Sequence, residues 1–454
     1  MIRLADLSPR EGWLCYEPTA EQPFDRRAAG HLFRRAGFAA TFSELDQATA
    51  RSPEVTIQKL LAGEAEHAAF AEGMQQFATS VLGRNESTAV ASWWLYRMRH
   101  TPAPLLEKTT LFWHGHFATS AAKVNDAKLM LQQNNSLRQQ ALGDFPTMVK
   151  SIGRDPAMLL YLDSATNRKT RPNENFAREV LELFCLGPGN YTEHDIQQLA
   201  RCYTGWEIQN NTFKFNSYQH DTGSKSIFGR SGNFDGDTAL PIILAQPAAA
   251  RFLCTKLVRF FVADEQFVAP EWIEPLAVQL QESQFKIQPV LATILSSRVF
   301  FSPAARGAKV RSPVEMTIGF LRAFDAGANL QTLVESLRGL GQLPLFPPNV
   351  KGWNGGREWI NAATIVARAN VMRQLIEGAS GRFGGTSLVD WLEHHDLKSG
   401  KEIVAGLCDL LLPIAPPAAV REQLVAQFDS TKDRAAATQR ALHQLCTLPE
   451  YQLA

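Results

Sequence analysis

The sequence predicts a mainly α protein: a large multi-helical body carrying a small β-hairpin or ribbon near residues 207–230. Three observations predict it. Apolar residues recur near 3.6-residue spacing over most of the chain. Proline, glycine, serine and aspartate punctuate that pattern about once per helix. The clearest period-two alternation, TFKFNSY (212–218), falls inside one short window. At 454 residues the chain can bury a sizeable core. Lys and Arg (46) balance Asp and Glu (45) to a net charge of +1. That leaves no global field to hold a nucleic-acid backbone or an anionic membrane. A hydrophobic share of 45% and a mean hydropathy of −0.17 fit a soluble globular chain.

Residues 1–27 form an N-terminal extension, and 28–378 the main helical domain. The first helix of the body is expected over 27–36. The next spans 54–68, where Ser52 offers an N-cap and Pro53 a first helical position. Val90, Trp93, Trp94 and Arg97 mark a helix over 87–100, and Pro102 and Pro104 open another through Phe117. Helices over 126–142, 144–152 and 155–162 are separated by Gly143, Gly153 and Pro156. A helix within 171–190 stops at Gly187 and Pro188, and one over 192–204 follows. The ribbon pairs 212–218 with SKSIF (224–228), leaving HDTG (220–223) at its turn. Helices resume at 240–263, 270–282, 286–297 and 313–325. The stretch LPLFPPNVKGWNGG (343–356) must be an ordered loop, because its prolines and glycines exclude a helix. It carries Phe346, Val350 and Trp353, and is expected to bury Trp353 against the body. A helix over 361–378, a linker at 379–386 and a small helical C-terminal segment, 387–454, complete the chain.

The six cysteines are scattered without a C-x-x-C pair, which fits neither a disulfide framework nor a zinc module. No run of about 18 apolar residues offers a transmembrane segment. The N-terminus lacks the basic and apolar regions of a signal peptide. It therefore points to the cytoplasm, or to export if a leader has been removed.

The informative segment is RPNENFAREVLELFCLGPGN (171–190). At about 100° per residue, Phe176, Val180, Leu183 and Phe184 share one face. Glu174, Arg178 and Glu182 flank it within an arc of about 80°, and Glu179 lies at its other margin. Two readings follow. One is an i,i+4 ladder on a solvated surface. The other is a sandwiched helix whose carboxylates face a polar cavity.

This segment, PNENFAREVLELF (172–184) with GPGNYTE (187–193), resembles the signature of the bacterial domain of unknown function 1800 family. Further blocks match in order: HLFRRAGF (31–38), FWHGHF (112–117) and DPAMLLYLD (155–163). ARCYTGW (200–206), HDTGSK (220–225), KLVRFF (256–261) and PPNVKGW (347–353) follow. The resemblance spans about 28–375. It implies a shared fold and leaves the activity open.

Within FWHGHF, His114 and His116 are candidate ligands for a divalent metal. Residues i and i+2 point about 200° apart on a helix, so the pair can share an ion only if the helix ends at Gly115. Otherwise His116 is a hydrogen-bonded core histidine. HDTGSK combines a base, a carboxylate and an amine, and equally suits an ordinary turn. NFDGD (233–237) lacks the bidentate glutamate of a calcium loop and reads as an Asx-turn. Nucleotide-loop, zincin and nucleophile-elbow motifs are absent, and basic residues do not cluster with aromatics along the sequence.

Two functions remain. The first is a hydrolase or transferase acting on a polar small-molecule or polymer substrate, with or without a divalent metal. Its catalytic candidates are His220, Asp221, Glu174, Glu179, Glu182, Arg178 and Lys225. Its metal candidates are His114, His116, His220 and Glu179. The second is a non-catalytic helical binding or assembly protein whose motifs are fold determinants. The first reading expects His220 or Asp221 within hydrogen-bond reach, directly or through one water, of Glu174, Glu179 or Glu182, with His116 approaching the same cavity.

Overall fold

A computed structural model describes residues 8–63, 67–83, 85–378 and 382–454. The architecture is mainly α, with strands only in two small antiparallel hairpins among the described residues. Helix starts follow the local chemistry. Ser52, Asp144 and Asp155 each accept a backbone N–H at an N-cap, with proline at the first turn behind them.

The helix Pro104–His116 is central, packing against Arg26–Gly37, Ser87–His100 and Ala127–Gln140. Leu105, Leu111, Phe112 and Trp113 on it are buried. Two neighbouring charges are buried there as well. Glu107, wholly inaccessible, accepts from Trp94 Nε1 at 2.8 Å and pairs with Arg97 and Arg138. Lys108 pairs with Glu315, which Lys309 also holds at 2.6 Å. Burial alone would neutralise these groups, and the opposite charges keep Glu107 and Glu315 ionised.

Several boundaries differ from expectation. The helix expected over 54–68 ends at Leu61, and a separate helix runs Ala68–Leu82; residues 64–66 of the expected span lie outside the described residues. The segment expected over 240–263 is two helices, Gly236–Leu244 and Pro247–Phe261, bent by 79°. Pro247 opens the second helix instead of continuing the first. The single ribbon is two hairpins. Trp206–Gln209 pairs with Thr212–Phe215, and Lys225–Ile227 with Arg230–Gly232. Each closes on a two-residue turn with positive φ at both positions, Asn210-Asn211 and Phe228-Gly229, the geometry that matches strand twist. HDTG therefore links two hairpins and is not the tip of one.

The extension contributes buried Trp13, Tyr16 and Phe24, with Trp13 edge-on to Trp272. Residues 379–381 of the expected linker lie outside the described residues; beyond them Phe383 is buried and bridges Ala326. The helices Gly400–Leu411 and Arg434–Thr447 pack on Arg26–Gly37 and Ala362–Glu377. No single helix among the described residues is long and apolar enough to cross a membrane. All six cysteines are free.

Candidate active site

The segment expected as one helix changes character midway. Asn175–Glu179 is α-helical and Val180–Cys185 is π-helical, with Leu186 N–H reaching back five residues to Leu181 O at 3.0 Å. A π-turn widens the helix and draws some carbonyls away from regular partners; such turns concentrate at functional sites. Two of those carbonyls are claimed by other motif blocks. His116 Nε2 donates to Phe184 O at 3.0 Å, and Lys256 Nζ donates to Leu183 O at 3.0 Å. Lys256 Nζ also donates to His116 Nδ1 at 3.1 Å, which fixes the neutral imidazole with its proton on Nε2. Burial, then the Lys256 charge, holds His116 well below its ordinary proton affinity.

The motif's other histidine anchors a different element. His114 Nε2 accepts from Leu345 N–H at 3.0 Å, and Leu345 O accepts from Ala121 N–H at 2.8 Å. Between the histidines, Gly115 lets Gly352 come against it. A Cβ on Gly352, whose φ is +76°, would lie 2.3 Å from Gly115 O. The loop 343–353 is thus docked, as expected, but mainly through buried Leu343 and Leu345. Trp353 keeps the larger part of its surface covered, as expected: its ring lies 5.7 Å from His114, and its Nε1 donates to Gly341 O at 2.9 Å. The indole needs a partner for its N–H, and that partner sits at the protein surface.

This docking brings Lys351 within electrostatic range of Glu179. Glu179 is half-buried, and its proton affinity is raised by burial and then by Glu182; Lys351 and Arg178 oppose the rise. Glu182 accepts from Tyr191 OH at 2.7 Å. Burial and that bond push the Tyr191 phenol up to about 12. Burial and then Glu179 raise the Tyr161 phenol. Four motif blocks therefore act on one electrostatic neighbourhood around Glu179: Tyr161, Glu182 with its hydrogen-bonded Tyr191, and Lys351. Two carboxyls of unequal environment, two phenols and an ammonium can exchange protons with a polar ligand. Composition and spacing had singled out only the glutamates. The other three lie inside quoted motifs, but only the folded loop shows that they meet.

The remaining candidates are placed elsewhere. Arg178 bonds Glu174 at 3.3 Å and Glu193 at 2.6 Å, so the expected ladder is half formed and Glu182 stands outside it. No direct hydrogen bond joins His220 or Asp221 to these glutamates among the described residues. His220 Nδ1 donates to Thr204 O at 2.9 Å. Asp221 accepts from Arg201 Nε at 2.7 Å and from Gly223 N–H at 2.8 Å. Lys225 donates to Asp221 O and, at 3.2 Å, to Asn233 Oδ1. Bidentate pairing with Arg201 holds the Asp221 carboxyl below its usual range. These groups clasp the link between the hairpins to the helix Glu193–Cys202. Asp235 caps the helix Gly236–Leu244, as an Asx-turn reading expects. His114, His116, His220 and Glu179 do not converge on a common point. No three His, Cys, Asp or Glu side chains among the described residues are placed to hold a metal ion together.

A cleft of about 590 Å³ opens on another face, lined by Gln75, Asn135, Gln139 and Gln288 beside Arg97 and Arg138. The carboxylate behind it, Glu107, is fully engaged by those arginines and Trp94, so the cleft offers less acid–base chemistry than the Glu179 cluster. A family model described as "Protein of unknown function (DUF1800)" matches residues 31–453. No curated protein and no solved structure matches the chain.

Proposed function

From the premise that the chain belongs to the DUF1800 family of proteins of unknown function, we propose that it is a hydrolase or transferase acting on a polar substrate at the Glu179–Glu182 pair. One observation carries the reading: Glu179 is half-buried, raised by burial and a neighbouring carboxylate, and within electrostatic range of an ammonium and a phenol. Such a carboxyl holds its proton nearer neutral pH and can deliver it to a leaving group. Glu182, held by Tyr191, is the companion base, and Lys351 supports negative charge developing on the substrate. A metal ion is not required by this assignment.

A second reading rests on its own observation. His114, His116, Lys256, Arg201 and Asp221 are all engaged with backbone or with each other. On that ground the motifs would be fold determinants of a binding or assembly protein. Turnover separates the two readings. Purified protein is incubated with a bacterial small-molecule and oligomer extract, and mass spectrometry follows what is consumed. The enzyme reading expects species depleted by the native protein and spared by Glu179→Gln. Equal composition after both incubations supports the scaffold reading.

A further inference from the structure

Residues that lie apart in the sequence form a basic patch with an exposed ring at the first hairpin. The turn Arg168–Arg171 closes with Arg171 N–H donating to Arg168 O at 3.0 Å, and Lys169 N–H donates to Gln219 O at 2.9 Å. That pairing lays Lys169 Nζ 4.5 Å from the centroid of the Tyr218 ring. Tyr218 is 76% exposed, more than any other large hydrophobic side chain among the described residues. Lys169, Arg171 and Lys214 are exposed and form no ion pair among the described residues. Glu207, opposite Lys214 in the strand register, is occupied by Arg168 at 3.1 Å and Asn216 at 2.9 Å. Three unneutralised cations thus gather beside a ring on a protein whose net charge is +1.

We infer that this patch docks an acidic polysaccharide. Charge complementarity selects a polyanion. The ring selects a repeat with a flat apolar face: Lys169 Nζ lies over Tyr218, which stays 76% exposed and so keeps ring surface for stacking. The same stretch of chain, 161–179, carries Tyr161, the basic turn and Glu179, and the acid–base chemistry proposed for Glu179 and Glu182 makes a sugar polymer the polyanion of choice. The choice of a sugar polymer rests on the proposed function; the docking of a polyanion does not.

Binding is measured without turnover, by fluorescence anisotropy of labelled polygalacturonate oligomers, with neutral dextran oligomers and oligo-dT as comparisons. The full chain is expected to bind polygalacturonate and not dextran. Binding should weaken about twentyfold from 50 to 200 mM salt, as for roughly three neutralised charges on a single-stranded polyanion. The variant Lys169→Ala/Lys214→Ala should lose at least tenfold, and Tyr218→Ala several-fold, with unchanged circular dichroism. Glu179→Gln should bind as the native chain does, so failure of the catalytic reading leaves this result standing. No polygalacturonate binding at 50 mM salt, equal binding of dextran, tighter binding of oligo-dT, or an unaffected lysine variant each overturns the proposal.

Discussion

Replacing His116 by Phe tests whether the π-turn is pinned from outside. The ring volume is nearly kept, so the change removes polar partners without opening a large cavity. Phe184 is 1% exposed, and its carbonyl receives the His116 proton at 3.0 Å. Leaving a buried carbonyl without a donor costs about 1–3 kcal/mol. Lys256 loses its His116 contact but keeps Leu183 O and some water, so that loss adds less than about 1 kcal/mol. The expected destabilisation is about 2–3 kcal/mol, read as a shift in urea midpoint at constant slope, pH 7.5. His116→Gln, whose amide can donate to Phe184 O, should recover part of it. A loss below about 0.5 kcal/mol, or no recovery by Gln over Phe, would refute the pinning of the π-turn by this histidine.

Three further outcomes follow from the same geometry. Glu315→Gln strips the counter-charge from buried Lys108 and Lys309 and should cost about 3–5 kcal/mol in denaturant unfolding; a change under 1 kcal/mol contradicts a buried ion network. Asp155 is raised by burial from 3.8 to about 6, so its contribution is full below pH 3.8 and is lost as pH rises through 6. Its replacement by Asn, which keeps the cap, should flatten that fall in a pH series of unfolding midpoints, and an unchanged slope would count against it. Gly352→Ala at φ +76° against Gly115 O should destabilise by about 1–3 kcal/mol and displace Lys351; a stable variant with an unaltered Glu179 titration would show the close approach to be dispensable.

The helices were legible because their signals are local. Caps at Ser52, Asp144 and Asp155, with prolines behind them, need no tertiary information. The pairing of the strands was not legible, because TFKFNSY and SKSIF show their period but not their partners. Asn210-Asn211 and Phe228-Gly229 were the turn signals that place each partner next door. Glu179 and Glu182 stood out by their spacing on a helix, yet the π-turn that begins after Glu179 and carries Glu182 is held by His116 and Lys256, 68 and 73 residues away from the carbonyls they serve. Lys351 reaches the cluster only because Gly115 and Gly352 let two backbones touch. His220 and Asp221 misled because a base beside a carboxylate on a turn looks the same whether it faces a substrate or, as here, Thr204 and Arg201. Trp353 follows its apolar area against the body, with its N–H satisfied by Gly341 O.

The central claim is that Glu179, Glu182 and Lys351 form one electrostatic unit with Glu179 as its proton-holding member. Carbon-13 NMR titration of the Glu179 side-chain carboxyl, in the native chain and two variants, tests it most directly. The account predicts a native midpoint above the ordinary glutamate value of 4.5, lowered by Glu182→Gln and raised by Lys351→Met. A native midpoint at or below 4.5 that neither substitution moves would contradict it.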